Sequence, residues 1–303
     1  MPIPPAPLRP GDTIAIIPTA RAIQIAELEA AIAMVQEWGL QVKLGKGIGR
    51  KHFQQAGTDV ERAQDLQAAL NDPQVRAVWC ARGGYGTVRL LDHLDLTVLR
   101  TDPKWIVGFS DATVLHNALL RLGIPSIHGQ MPFNITGKTP GCKESLLQLL
   151  TGGDPSIHLP ATPSPYDRIG VADGVLVGGN LSILYALRGT PYDIDPAGKI
   201  LFIEDLDELL YHLDRMIQNL RISGWFSRLS GLIVGGMTSM RNKNEEDPFG
   251  MTAEAIIHDA LGDRHLPVCF GFPAGHIDDN RALLLGARVR LRVGSDRVEL
   301  TYL

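Results

Sequence analysis

Cysteine is scarce in this sequence, and its few copies lie far apart. The 303 residues include three cysteines, at positions 80, 142 and 269. An odd number without a closely spaced pair argues against a disulfide framework and against a C-x-x-C zinc or redox site. The sequence also lacks an H-E-x-x-H motif and a helically spaced histidine pair beside a carboxylate. It therefore indicates no metal site, and we expect no cofactor.

Long hydrophobic runs and an excess of charge are also missing. No apolar run approaches the length of a membrane span. The N-terminal segment places Arg9 after its apolar residues, which is the wrong order for a secretory signal. The formal net charge of -4 gives no reason to expect nucleic acid or an anionic membrane as a partner. These absences predict a protein of a reducing compartment, the cytoplasm.

Apolar residues are plentiful and follow a regular pattern. They make up 45% of the chain, enough for a substantial core. In the first half, apolar runs typical of buried strands alternate with segments of helical periodicity. This alternation is typical of a parallel sheet covered by helices, in which ligands bind beyond the carboxyl ends of the strands. We therefore predict an α/β fold whose N-terminal domain, residues 1–152, contains a parallel sheet.

A change of composition predicts where this domain ends. Residues 153–170 contain four prolines among serine, threonine and glycine, which is typical of a linker. Residues 171–303 alternate strands and helices less regularly. They end in two segments, 287–293 and 297–302, that predict an antiparallel pair. We predict a smaller, mixed α/β domain for this C-terminal part.

Ser110 follows a short apolar run, 105–109, and precedes a segment of helical periodicity, 111–122. A serine at the start of a helix is commonly an N-cap, and this structural role is the first interpretation. The position also suits a nucleophile, because the N–H groups of a first helical turn have no helical partner and favour negative charge. The choice depends on whether the chain supplies a base and a group that orients it.

His276 and Glu204 each end a predicted strand and are the candidates for these two roles. A loop histidine bound to backbone groups is the alternative for His276. The acidic segment 204–208 also suits the solvated start of a helix, and one carboxylate could orient a histidine while the others cap that helix. Another histidine, His116, follows Ser110 by one to two turns, and we expect it to point along the flank of its helix.

Glycines follow the predicted strand 75–80 in the segment 82–86 (RGGYG). This segment lacks the third glycine of a dinucleotide-binding loop, but its N–H groups could approach an oxyanion closely. The pairs Gly178-Gly179 and Gly235-Gly236 instead predict strand ends with close packing. Two other functions stay open: a phosphate-binding module with Ser110 as a cap, and a hydrolase with Cys80 as nucleophile. A buried core position is the favoured interpretation of Cys80.

Several ordered segments resemble the LD-carboxypeptidases, the muramoyltetrapeptide carboxypeptidase family of serine peptidases. They span nearly the whole chain and comprise 10–12 (PGD), 82–86 (RGGYG), 108–111 (GFSD), 178–181 (GGNL), 201–205 (LFIED) and 271–276 (GFPAGH). The resemblance implies a catalytic triad of Ser110, Glu204 and His276. It also implies an active site between the two domains and a homodimer.

The resemblance further implies a reaction. The family cleaves the amide between the L-centre of a diamino acid and a terminal D-alanine in murein tetrapeptides, which serves cytoplasmic cell-wall recycling. A related branch cleaves aminoacyl-nucleotide peptide antibiotics. This chain departs from the family in 282–286 (ALLLG), where leucine replaces a usual proline, and in Asp207-Glu208, where Gly-Glu is common. Both departures leave the substrate preference open.

The implied mechanism is acyl transfer to Ser110, with His276 as the base and Glu204 orienting its ring. We predict the backbone N–H groups of Gly84 and Asp111 as the oxyanion donors. The Asp111 side chain is predicted to cap its own helix. Recognition of the substrate's terminal carboxylate needs a cation or exposed N–H groups, and the sequence does not choose among three candidates, Arg82, Arg221 and Arg241.

Overall fold

The protein forms two compact units, each with its own β-sheet. The computed structural model describes residues 4–160 and 164–303. One unit comprises the chain up to Pro155 together with Asp278–Gly286, and the other comprises Ser156–Ile277 and Ala287–Leu303. The segment Asp278–Gly286 therefore belongs to the first unit, although the sequence analysis placed it in the C-terminal domain.

The first unit is built on a six-stranded sheet of order β11-β5-β4-β3-β1-β2. Its strands are β1 (Thr13–Ile17), β2 (Gln41–Leu44), β3 (Val75–Cys80), β4 (Trp105–Gly108), β5 (Ser126–His128) and β11 (Leu283–Leu285). The first five strands run parallel, which confirms the predicted N-terminal sheet, and β11 pairs antiparallel with β5. A run of three leucines carries no mark of the sheet it joins, so the sequence could not assign β11.

Four α-helices accompany this sheet. They are α1 (Glu29–Glu37), α2 (Asp59–Asn71), α3 (Thr113–Arg121) and α4 (Pro140–Thr151). The cap of α2 is Thr58. The Thr58 hydroxyl accepts the Glu61 N–H at 3.3 Å, and the Glu61 carboxylate accepts the Thr58 N–H at 2.8 Å. This reciprocal pair forms a capping box, which typically stabilises a helix by about 1 kcal/mol.

The core of the first unit is packed around the central strands. Ile14, Ile16 and Trp79 are at most 1% exposed. Burying a side chain of this size typically contributes about 2–3 kcal/mol. The Trp79 indole also donates to the carbonyl of Gln130 at 2.8 Å, so its one polar atom is satisfied. The sheet that carries Ser110 is therefore a rigid support.

The second unit is built on a seven-stranded sheet of order β10-β9-β8-β7-β12-β13-β6. Its strands are β6 (Ile157–Pro160), β7 (Gly170–Asn180), β8 (Lys199–Leu206), β9 (Gly231–Thr238), β10 (Val268–Cys269), β12 (Arg288–Val293) and β13 (Arg297–Tyr302). Strands β7 to β10 are parallel, whereas β12, β13 and β6 add on antiparallel. The predicted mixed sheet and its antiparallel pair are confirmed.

The predicted linker, 153–170, contains regular structure. Strand β6 lies within it and pairs with β13; residues 161–163 of the linker lie outside the described residues. The sequence analysis read its prolines as linker signals, but an edge strand tolerates proline because part of its backbone needs no ladder partner.

Three α-helices belong to the second unit: α5 (Leu181–Ala186), α6 (Leu210–Ile222) and α7 (Ala253–Leu261). Helix α5 begins directly after β7, and the Asn180 side chain accepts the Ile183 N–H at 3.2 Å as its cap. Across the described ranges, no helix combines the length and the apolar character that crossing a bilayer requires.

Candidate active site

Ser110 occupies a strained turn at the carboxyl end of β4. Its φ of 59° lies in the left-handed region, which costs a non-glycine residue roughly 1 kcal/mol or more. The turn is tight: a Cβ atom added to Gly108 would lie 2.8 Å from the Ala112 Cβ and 3.0 Å from the Cys80 Cβ. Strain of this kind concentrates at functional sites, and a strand-to-helix turn exposes a nucleophile.

The N-cap interpretation of Ser110 is wrong. A 3₁₀ turn, Ser110–Ala112, precedes α3; its cap residue is Phe109, and the cap residue of α3 is Ala112. Neither helix start receives a hydrogen bond from a capping side chain. The Ser110 side chain, which is partly exposed, therefore has no capping role.

The glycine segment after β3 lies against Ser110, as the oxyanion-hole prediction requires. A Cβ atom on Gly83 would lie 3.2 Å from both the Cβ and the Oγ of Ser110. The next residue, Gly84, has a φ of 107° that a residue with a side chain rarely adopts. The segment thus brings its backbone to the Ser110 side chain, and glycine permits that approach.

Asp111 joins this segment to the serine turn. Its side chain is 1% exposed, and its Oδ2 accepts the backbone N–H of Thr87 at 2.8 Å. Asp111 therefore caps the 3₁₀ helix Thr87–His93 and not its own helix, which corrects the prediction. Burial raises the pKa of this carboxyl, while the hydrogen bond from Thr87 opposes that shift.

In the second unit, Glu204 lies inside β8 and His276 in the loop after β10, so neither ends a strand as predicted. The two side chains are hydrogen-bonded to each other. The Glu204 carboxylate is 0% exposed, and its Oε2 accepts both the Nδ1–H of His276 at 2.6 Å and the His276 backbone N–H at 3.1 Å. A carboxylate that accepts at Nδ1 places the proton of the neutral ring on that nitrogen and makes Nε2 the basic one. This is the arrangement by which an acid orients a general base.

Glycine makes the contact between this pair possible. Gly275, with a φ of 104°, packs on Glu204: an added Cβ atom would lie 2.6 Å from the Glu204 Cβ and 2.7 Å from its Cγ and Oε2. No larger residue could occupy this position without displacing the buried carboxylate. The Pro-Ala-Gly segment that precedes His276, at positions 273–275, is therefore the element that brings His276 to Glu204.

A β-bulge next to Glu204 seats the histidine loop. Strands β8 and β9 shift register, because Ile203 pairs with Val234 whereas Asp205 pairs with Met237. Two β9 residues, Gly235-Gly236, therefore lie opposite the single residue Glu204.

Both bulge glycines pack on the loop that carries His276. A Cβ atom on Gly235 would lie 2.4 Å from the Ala274 carbonyl oxygen, and one on Gly236 would lie 2.7 Å from the Ile277 Cγ2. The Gly236 N–H also donates to the Ala274 carbonyl at 3.0 Å. The predicted close packing of this glycine pair is confirmed, but the pair lies inside β9 and not at its end. The missing side chains leave room for the loop.

Comparison with known proteins identifies the family of this chain. Residues 14–129 match the LD-carboxypeptidase N-terminal domain, and residues 173–291 match the LD-carboxypeptidase C-terminal domain. The chain belongs to the LD-carboxypeptidase family.

Three relatives place it within this family. The probable murein peptide carboxypeptidase of Bacillus subtilis (strain 168) is 35% identical over 291 residues, covering 95% of this chain and 91% of that protein. The crystal structure of the muramoyltetrapeptide carboxypeptidase from Oxalobacter formigenes superposes with a TM-score of 0.85 at 30% identity, covering 96% of this chain and 98% of that one. The microcin C7 self-immunity protein MccF of Escherichia coli is more distant, at 24% identity over 333 residues, with coverage of 98% and 95%. The protein is therefore a peptidase-family member of the two-domain LD-carboxypeptidase fold.

The second carboxylate of this LD-carboxypeptidase motif, Asp205, has a different task. It is 2% exposed and accepts the Asn180 side-chain amide and the Ser182 N–H, both at 2.8 Å, and the Leu206 N–H at 2.9 Å. Burial, and then the charge of Glu204, raise the pKa of Asp205 to about 7. Asp205 thus caps α5, whereas the sequence analysis expected a neighbour of Glu204 to cap the helix that follows it in the chain.

Two other residues that the sequence offered as candidates, His116 and Cys80, are buried. His116 is buried: its Nε2–H donates to the Gly108 carbonyl at 2.9 Å, and its Nδ1 accepts from the Ser126 hydroxyl at 2.8 Å. It points into the unit and not along the helix flank, and burial lowers its pKa to about 4. Burial also raises the pKa of Cys80 to about 12, so its thiol is a poor nucleophile.

The three arginines predicted to bind a carboxylate are each held by neighbours. Arg82 lies 4.0 Å from the centroid of the Phe133 ring and 3.4 Å from a Glu27 oxygen. Arg221 donates from Nε to the Gln218 side chain at 2.5 Å. Arg241 forms an ion pair with Asp207. Each of the three therefore has part of its guanidinium engaged by a neighbouring residue.

Arg62, which no sequence pattern indicated, holds the glycine segment through a hydrogen bond to its backbone. This side chain on α2 is 1% exposed, and its guanidinium donates to the Gly86 carbonyl at 3.0 Å and to the Asp59 carboxylate at 2.6 Å. No sequence signal marks it, because arginine on a helix is ordinarily exposed. Within the described ranges, no group of three or more His, Cys, Asp or Glu side chains could hold a metal ion.

Proposed function

We propose that this protein is a serine carboxypeptidase that releases the terminal D-alanine from murein tetrapeptides. The observation that carries the proposal is the 2.6 Å hydrogen bond between the buried Glu204 carboxylate and Nδ1 of His276, which leaves Nε2 as the general base. The strained turn at Ser110 supplies the matching nucleophile. The murein substrate rests on the names of the relatives that are at least 30% identical.

The proposed reaction begins with attack of the Ser110 Oγ on the carbonyl carbon at the L-centre of the diamino acid. His276 takes the hydroxyl proton at Nε2, and Glu204 stabilises the imidazolium. When the C–N bond breaks, the imidazolium gives its proton to the amine of D-alanine. Water then attacks the acyl-enzyme, again with His276 as the base, and releases the shortened peptide with Ser110 restored.

The proposed oxyanion donors are the backbone N–H groups of Gly84 and Asp111. Support comes from the contact of Gly83 with Ser110 and from the hydrogen bond that ties Asp111 to Thr87. A preorganised donor of this kind is typically worth about 3 kcal/mol of barrier. The glycine segment is fixed by the hydrogen bond from Arg62 to the Gly86 carbonyl, and the serine turn by the hydrogen bond between Asp111 and Thr87. The donors therefore need not reorganise during the reaction.

An amidase that acts on aminoacyl-nucleotide peptide antibiotics is the second candidate. It would use the same residues, and the match to MccF favours it, although that relative is only 24% identical. A ligand-binding module without catalysis is a third possibility, which the exclusion of the cap role for Ser110 disfavours. The homodimer and the cytoplasmic location stay predictions.

Incubation with murein tetrapeptide, followed by mass spectrometry of the products, tests the proposal. We expect release of one alanine by the natural protein and none above background by Ser110→Ala. Ser227→Ala, which changes an exposed serine far along the chain from the site, should be unaffected. Cleavage of an aminoacyl-nucleotide amide with no release of alanine would favour the second candidate instead.

A further inference from the structure

A carboxypeptidase must recognise the free carboxylate at the end of its substrate. The three arginines predicted for this task are engaged with Phe133 and Glu27, with Gln218 and with Asp207. A different cation, Arg21, lies beside the glycine segment that contacts Ser110. Neither the sequence analysis nor the family comparison points to it.

Arg21 is held close to the nucleophile by its backbone and by its side-chain stem. Its N–H donates to the Gly83 carbonyl at 3.4 Å. Its methylene groups lie across Gly84, because a Cβ atom on that glycine would meet the Arg21 Cδ at 2.3 Å and the Cγ at 2.6 Å. Arg21 can pass this close only because position 84 is a glycine.

The guanidinium of Arg21 is available to a ligand. The side chain is exposed, and it forms no hydrogen bond or ion pair with another residue in the ranges 4–160 and 164–303. It lines a surface cavity of about 340 Å³ together with Lys51, Arg82 and Phe53. Arg82 is paired with Glu27, whereas Arg21 and Lys51 form no ion pair with any described residue, so this cavity keeps unpaired positive charge that attracts an anion.

The glycine segment sets an upper bound on the distance between Ser110 and Arg21. The Ser110 Oγ lies 3.2 Å from the Cβ position of Gly83, and the Arg21 Cδ lies 2.3 Å from that of Gly84. Since consecutive Cα atoms are about 3.8 Å apart, the Ser110 Oγ and the Arg21 Cδ are separated by at most roughly 12 Å. A guanidinium can reach back over part of this distance. The carboxylate of the leaving amino acid lies only one residue beyond the carbonyl that the serine attacks, so one arginine can serve it.

We infer that Arg21 binds the terminal carboxylate of the substrate and thereby selects peptides with a free end. The inference rests on the proposed function. Arginine presents paired N–H donors that match the two oxygens of a carboxylate, and such charge-assisted hydrogen bonds are stronger than neutral ones. Because the group is bound in both ground and transition states, its loss should raise KM more than it lowers kcat.

The test compares a tetrapeptide with the same peptide ending in a carboxamide. Binding of each is measured by calorimetry to Ser110→Ala and to Ser110→Ala combined with Arg21→Ala, and turnover is measured on the single Arg21 variants. We expect Arg21→Ala to weaken carboxylate binding about 10- to 100-fold and carboxamide binding less than 3-fold. Arg21→Lys should recover part of the loss, because it keeps the charge without the paired donors.

Arg100→Ala is the matched control, since it removes an exposed arginine from the same unit outside the cavity. Equal losses for the carboxylate and the carboxamide, or an unchanged preference in Arg21→Ala, would overturn the inference. Absence of turnover in the natural protein would instead defeat the proposed function. In that case the binding comparison still decides whether Arg21 reads the carboxylate.

Discussion

Ser110 lies just after the carboxyl end of β4, His276 lies in the loop after β10, and different forces hold the two residues. Ser110 has a left-handed backbone with a φ of 59°, and its tight turn excludes a side chain at Gly108. His276 is instead held in place by two hydrogen bonds that it donates to one buried oxygen of Glu204. In the first unit a strained backbone presents the Ser110 side chain. In the second unit the buried Glu204 carboxylate and three glycines, at positions 235, 236 and 275, fix the His276 ring. The two should therefore respond differently to substitution.

The largest effect should come from filling the space at Gly275. In Gly275→Ala, the new methyl would overlap Glu204 at 2.6–2.7 Å, so the carboxylate or the histidine loop must move. We expect kcat to fall at least 100-fold, because misplacing a catalytic group by about 1 Å has such a cost. We also expect a lower thermal midpoint. Steady-state kinetics and calorimetry measure both.

Gly271→Ala is the control for this substitution. Gly271 also has a positive φ, of 66°, but no atom lies within 4 Å of an added Cβ. It should show the backbone strain of about 1 kcal/mol without the loss of activity. If both variants lose activity equally, then contact with Glu204 is not the reason that position 275 needs glycine.

A smaller effect should appear at the serine turn, where removing a side chain should raise the stability of the protein. Ser110→Gly removes the side chain that the left-handed backbone disfavours, whereas Ser110→Ala keeps a Cβ atom there. We expect the glycine variant to be more stable than the alanine variant by about 1 kcal/mol, with both inactive. Thermal unfolding of the two variants side by side measures this difference. A glycine variant less stable than the alanine variant would show that the turn is not strained.

How much of this site the sequence could reveal follows from the kind of interaction involved. The sequence marked Ser110, Glu204 and His276 as candidates because each directly follows or closely trails an apolar run, although the structure places Glu204 inside β8 and His276 in the loop after β10. The role of Arg62 was not predictable, since its partners include a carbonyl 24 residues away in the chain. The edge strand β11 could not be predicted for the same reason: the pairing of Leu283 with His128 is set by packing and leaves no local signal.

A dependence of stability on pH is expected from Asp205. The folded-state pKa of Asp205 is raised to about 7 from an ordinary 3.8, mainly by burial. The folded protein therefore holds this proton better than the unfolded chain does. The stabilisation is complete below about pH 4 and is lost as the pH rises through 7.

Asp205→Asn removes this titration. The difference in the free energy of unfolding between the natural protein and this variant should move against the natural protein by about 2–4 kcal/mol from pH 4 to pH 8. Urea unfolding across this range measures it. Asp296→Asn, at an exposed carboxyl whose pKa is lowered by Arg297, should show no such trend above pH 5. A flat difference for Asp205→Asn would mean that its hydrogen bonds outweigh its burial.

The central claim is that Ser110 is a nucleophile activated by the Glu204–His276 pair. Covalent labelling with a fluorophosphonate, read by intact mass and peptide mapping, tests it most directly. We predict one adduct on Ser110 in the natural protein, none in Ser110→Ala, and labelling slowed at least 100-fold in Glu204→Gln, because an amide can no longer stabilise the imidazolium. Labelling at another residue, or an unchanged rate in Glu204→Gln, would contradict the account.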